Sequence, residues 1–116
     1  MMETPKSGRF RLTALLLAVL AVEAVALAAF AAETITVSQH GRKFAPDVLH
    51  LARGTMVHIV NDDRVTHHVY VDAPNMKFDS GEQPVGTTVD LTFDRAGTFQ
   101  VLCAIHPTMH LQVTVE

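Results

Sequence analysis

The stretch Gly97-Thr98-Phe99-Gln100-Val101-Leu102-Cys103-Ala104-Ile105-His106-Pro107-Thr108-Met109-His110-Leu111-Gln112-Val113-Thr114-Val115 decides how this chain reads. Phe99, Val101 and Cys103 fall on every second residue of its left arm, and Met109, Leu111, Val113 and Val115 do the same on its right arm. Side chains in a strand alternate between faces, so each arm predicts a strand with one apolar face. Cys103 and Met109 each extend a row of core residues. The short loop between the arms carries His106 and Pro107.

Working outward, the same period of two recurs through the second two-thirds of the chain. Residues 34–39 alternate with Ile35 and Val37 on one face; 48–52 and 55–61 follow, separated by the turn signal Arg53-Gly54. After the polar break Asn61-Asp62-Asp63-Arg64, residues 66–72 place His67, Val69 and Val71 on one face and His68, Tyr70 and Asp72 on the other. Residues 73–86 hold Pro74, Asn75, Gly81, Pro84 and Gly86 and are expected to form a long irregular connection rather than a regular strand. Residues 87–93 alternate again, and Asp94-Arg95-Ala96-Gly97 forms the turn into the opening stretch. Seven to eight short strands with frequent turns and no helical period predict an all-β Greek-key sandwich of two sheets.

Cys103 is the only cysteine, so it cannot form an internal disulfide. A thiolate, an imidazole and a thioether at 103, 106 and 109 form a soft donor set, which favours copper over magnesium, calcium or manganese. Two imidazoles and a thiolate in a trigonal arrangement with a weak axial thioether serve a one-electron copper couple. A second histidine must come from elsewhere. His67 qualifies because it shares the inward face of Val69 and Val71; His68, on the other face, is the alternative donor. Zinc fits less well, since thioether is a poor zinc ligand. A Cys103 nucleophile with a histidine base lacks an orienting third residue at a recognisable spacing. His40, His50, His58 and His110 are expected on the surface, and Met56 and Met76 in the packing.

Lys6, Arg9 and Arg11 precede an apolar run from Leu12 to Val22, and Ala29-Phe30-Ala31 supplies small residues for cleavage. Residues 1–32 therefore read as an export signal, with residues 33–116 as the mature domain beginning at Ala32 or Glu33 and a periplasmic destination. Glu23 disfavours the alternative of an uncleaved membrane anchor. Residues 33–116 carry six Lys and Arg against ten Asp and Glu, a formal charge of −4. That sign argues against nucleic acid and suits a basic protein partner.

The residues Phe44, Pro46, Asn61, His67-His68-Val69 and Gly97-Thr98-Phe99 through Cys103, His106, Pro107 and Met109 fall in the order found in small blue (type 1) copper proteins. The chain resembles this cupredoxin family, of plastocyanin and amicyanin type, and the two-residue gaps on either side of His106 are most similar to the short ligand loop of amicyanin. The resemblance implies one copper, with His67, Cys103 and His106 as strong ligands and Met109 as the axial one. It implies a one-electron carrier, not an enzyme, acting as a monomer between redox proteins such as a c-type cytochrome or an exported dehydrogenase. The competing role is copper delivery or detoxification, with the remaining histidines as capture sites. One departure stands out: His68 occupies the position where the family usually has an Asn that links the two ligand loops.

Overall fold

The computed structural model describes Met2, Glu3 and residues 33–116. The expected export signal lies outside the described residues, apart from Met2 and Glu3. Nine strands are formed among the described residues: β1 (Thr34–His40), β2 (Lys43–Ala45), β3 (Val48–Leu51), β4 (Thr55–Asn61), β5 (Val69–Ala73), β6 (Met76–Asp79), β7 (Thr88–Phe93), β8 (Gly97–Cys103) and β9 (His110–Val115). They build two sheets, one ordered β2-β1-β4-β7 and the other β3-β9-β8-β5-β6. Both are mixed: β1 runs parallel to β4, and β3 parallel to β9.

The period-two pattern translates directly into this architecture. Val37, Val57, Ile59, Leu91 and Phe93 face inward from the first sheet. Leu49, Val69, Val71, Phe99, Val101, Cys103, Leu111 and Val113 face them from the second. Phe93 and Phe99, on opposite sheets, pack with ring centroids 6.0 Å apart, within the range of favourable aromatic pairs. With the two inner faces buried, a one-residue slip of any strand would turn its apolar set to water, and this holds the register.

Two differences from the sequence expectation concern short strands. Residues 76–79, expected in an irregular connection, form β6 and pair antiparallel with β5 from Ala73↔Met76 to Tyr70↔Asp79. Pro74 and Asn75 are confined to the hairpin turn, so their breaking character is spent there. The second is β2, three residues long and joined to β1 by a two-residue loop between His40 and Lys43. The expected turn at Arg53-Gly54 is present, with Gly54 at φ 88° and its N–H donated to the Phe93 carbonyl at 2.7 Å. It carries the chain from one sheet to the other, because β3 and β4 belong to different sheets.

The antiparallel β8–β9 pair extends from Gly97↔Val115 to Leu102↔His110. Residues 104–109 therefore close one end of the sandwich. The β1–β2 turn, the connection from β4 to β5 and the connection from β6 to β7 meet the same end, since β1 and β4 run parallel and Gly86 N–H donates to the Asn61 carbonyl at 2.9 Å.

Leu111, fully buried between the sheets, reports on this packing. Leu111→Ala is expected to destabilise the metal-free domain by about 2–5 kcal/mol. Ile105→Ala, in the exposed loop, should change stability by less than about 0.5 kcal/mol. Urea unfolding of the two variants measures the contrast.

Candidate metal centre

His67 enters the site from a segment that departs from regular strand geometry. Its N–H donates to the Gln83 carbonyl at 3.0 Å, and Gln83 N–H donates back at 2.7 Å, an isolated bridge just before β5. The regular strand begins at Val69, opposite Cys103, rather than at residue 66. Alternation still governs the side chains: His67 is 0 % exposed and inward, while the partly exposed His68 turns outward to Asp79. Asn61 ties the connection together, its Nδ2–H groups reaching the Val65 and Gln83 carbonyls at 2.9 and 3.0 Å.

Cys103 ends β8 with its side chain in the core row, 2 % exposed. Its Sγ lies 3.8 Å from His67 Nδ1 and 3.7 Å from His106 Nδ1, and the two Nδ1 atoms are 3.1 Å apart. These edges are what two imidazole nitrogens about 2.0–2.1 Å and a thiolate about 2.3 Å from one centre would produce. The sequence-expected trio is thus brought together, and it is the one group of three such donors among the described residues. Met109, just before β9, is buried at the far end of the loop, with its N–H donated to the His106 carbonyl at 3.0 Å. The expectation that it is inward-facing holds.

Asp63, four residues before His67, belongs to the polar break after β4. It is the carboxylate that orients the ligand: Oδ2 lies 3.0 Å from His67 Nε2 and accepts the Arg42 N–H at 2.8 Å, while Oδ1 accepts the Arg64 N–H at 2.8 Å. The Arg42 N–H, then the Arg64 N–H and His67, hold the Asp63 carboxyl well below the usual carboxylate range against the opposing effect of burial. An ionised carboxylate only accepts, so His67 carries its proton on Nε2 and presents the Nδ1 lone pair to the site. Nothing in the local sequence marks this role, because side chains four residues apart meet regularly only on a helix and this segment is a loop.

His106 is held below the ordinary histidine range, first by burial and then by the electrostatic effects of His67 and Arg42, with Asp63 opposing. Its imidazole is therefore neutral at neutral pH, with a lone pair free for a metal. Three potential metal donors converge, two of them ring nitrogens 3.1 Å apart and within hydrogen-bond reach of each other. A cation among them would take all three as ligands, and sulfur with imidazole suits copper.

The backbone of His68 links the two ligand segments: its N–H points to Cys103 Sγ at 3.4 Å and its carbonyl accepts the Ala104 N–H at 2.9 Å. This connection exists whatever side chain stands at 68. His40, His50 and His110 are exposed, as expected, and His58 is partly exposed and paired with Asp90. Met56 is partly buried on β4, and Met76 packs against the core.

Because the folded Asp63 carboxyl titrates far below its unfolded value of about 3.9, its contribution is complete above roughly pH 4 and is lost as pH falls toward the folded value. The metal-free protein should lose stability more steeply below about pH 4 than Asp63→Asn does. At neutral pH the variant should be less stable by about 1–3 kcal/mol. Denaturant titrations at several pH values test both statements.

The sequence profile of the cupredoxin-like domain matches residues 12–115. No curated protein sequence matches the chain. Among solved structures, a reduced amicyanin variant is 29% identical over 77% of this chain and 89% of its own, with a TM-score of 0.66. A copper-containing nitrite reductase from Thermus scotoductus SA-01 is 28% identical over 72% of this chain, with a TM-score of 0.65, and the chain spans only 22% of that enzyme's length. A purple cupredoxin from Nitrosopumilus maritimus shares the fold at 24% identity and a TM-score of 0.63, covering 71% of this chain and 99% of its own. With a profile match over most of its length and a buried His-Cys-His centre suited to one copper, the chain belongs to the cupredoxin family.

Proposed function

We infer that the domain is an exported one-electron carrier of the periplasm that shuttles between redox proteins, a c-type cytochrome or an exported dehydrogenase among them. The observation that carries this reading is the convergence of His67 Nδ1, Cys103 Sγ and His106 Nδ1 within 4 Å of one another at one end of a rigid sandwich. Copper held there by His67, Cys103 and His106, with Met109 as a further weak donor, would supply a one-electron couple between Cu(I) and Cu(II).

The protein's part is to hold its donors still. Cys103 is fixed by the β5–β8 ladder and by the His68 N–H; His67 by the Gln83 bridge and the Asp63 carboxylate. Donors that do not move between oxidation states keep the reorganisation accompanying electron transfer small. His67 is fully buried, whereas His106 is partly exposed on its loop, so the His106 edge is the route by which an electron reaches a partner. A small contact area around it suits a transient redox encounter. In this role the domain carries electrons and catalyses no reaction of its own.

Copper delivery or detoxification finds less support. The histidines that would act as capture sites do not gather with other donors: His40 is bonded to the Asp62 carbonyl, and His58 is paired with Asp90.

Cu(II) added to purified residues 33–116 should give an intense visible thiolate-to-copper band and a matching paramagnetic spectrum, both abolished in Cys103→Ser. His67→Gly should lose the band while His68→Gly keeps it, which separates the two candidate donors. Met109→Leu should keep the colour and raise the reduction potential, because loss of a weak donor disfavours the more highly charged ion. Absence of the band in the wild-type protein would end the carrier reading.

A further inference from the structure

Arg42 stands in the two-residue loop between β1 and β2, where Gly41 has φ 60° and Arg42 has φ 58°. Positive φ at both central residues is the pattern of a hairpin turn that favours glycine at its second position. Among the described residues, Arg42 is the one non-glycine residue in this left-handed region, where a Cβ meets the following carbonyl. The backbone role of position 42, the N–H given to Asp63, needs no side chain. An arginine kept against the preference of its own turn suggests that the side chain is used.

The surroundings indicate for what. Arg42 is exposed, and its charge acts on the His106 imidazole. Of the three large apolar side chains that residues 33–116 expose, two come from loops at this same end: Ile105 at 46 %, next to His106, and Val85 at 54 %, between the Gln83 and Gly86 anchors. Of the nearby acids, the exposed Asp62 accepts from Ser38 Oγ, and Asp63 accepts from three N–H groups. Arg64 and Glu82, both exposed on adjacent loops, carry opposite charges.

We propose that Arg42 is the specificity-determining cation of the electron port, and that the redox partner docks an acidic group on it beside an apolar contact with Ile105 and Val85. The inference rests on the carrier reading and names its partner's chemistry: a protein whose docking face carries a carboxylate. It reverses the sign suggested by the formal charge of −4 over residues 33–116, because a docking face responds to the charges at its rim before those of the whole surface. Arginine suits the task, since its planar fork binds a carboxylate through two parallel hydrogen bonds.

The test uses hexacyanoferrate(III) as an anionic surrogate. One electron passes from the reduced, copper-loaded protein to give hexacyanoferrate(II), and no proton or ligand changes hands. At low ionic strength Arg42→Gly should slow this reaction several-fold and flatten its salt dependence, whereas Arg42→Lys should retain most of the rate. Oxidation by the cationic tris(phenanthroline)cobalt(III) should be equal or faster in Arg42→Gly. Loss of a nearby positive charge lowers the potential and favours oxidation, so the slowing reports the encounter rather than the driving force.

Two readouts need no copper: metal-free Arg42→Gly should melt at a higher temperature than wild type, and paramagnetic hexacyanochromate(III) should broaden the amide signals of Arg42, Val85 and Ile105 in wild type but not in the variant. Wild-type rates and salt dependence in Arg42→Gly, or broadening indifferent to the substitution, would overturn the assignment. Failure of the wild-type protein to exchange electrons with either reagent would instead count against the carrier reading, with the broadening still deciding the anion site.

Discussion

The structure turns on three electron-rich atoms held at mutual distances of 3.1, 3.7 and 3.8 Å in a largely buried setting. Each is a potential metal donor, and the rest of this end of the domain serves to keep them together. β8 delivers Cys103 from the core row, the loop toward β9 returns His106 to it, and the Gln83 bridge presses His67 inward from the opposite segment. A site assembled from rigid strands and short loops is pre-organised for its ion, so binding adds stability without requiring the fold to rearrange.

Asp63 couples this centre to the surface. One carboxylate accepts from the Arg42 turn, from Arg64 and from His67, so the outer hairpin, the connection after β4 and the buried ligand share a single anchor. Its carboxylate also sets the tautomer of His67, and through it the direction of the donating lone pair. On the other flank, the His68 peptide ties Cys103 to Ala104 and its own segment. The side chain at 68, which departs from the family pattern, is directed to Asp79 on the outer face. Its role in joining the ligand segments is carried by backbone atoms instead.

Charge is distributed unevenly with respect to this centre. The negative formal charge belongs to residues 33–116 as a whole, while the end that carries His106 also presents Arg42, exposed apolar side chains and acids hydrogen-bonded to their neighbours. Encounter rates over long distances respond to the first, and the docked geometry to the second.

Much of this was legible in the chain because it is local. Period-two alternation and turn residues fix which side chains face inward, and that chemistry holds residue by residue whichever strands become neighbours. The inward orientation of His67, Cys103 and Met109, the ligand loop and the preference for copper follow from it. Strand β6 was hidden because Pro74, Asn75 and Gly81 flank only four regular residues, and its pairing with β5 is what makes it a strand. The closeness of His67 to Cys103, 36 residues apart, the acceptor role of Asp63 and the place of Arg42 at the same end as His106 were decided only by tertiary structure. Each depends on which strands lie side by side and where chains cross between sheets, and that is set by burying two apolar faces together rather than by any neighbouring residues.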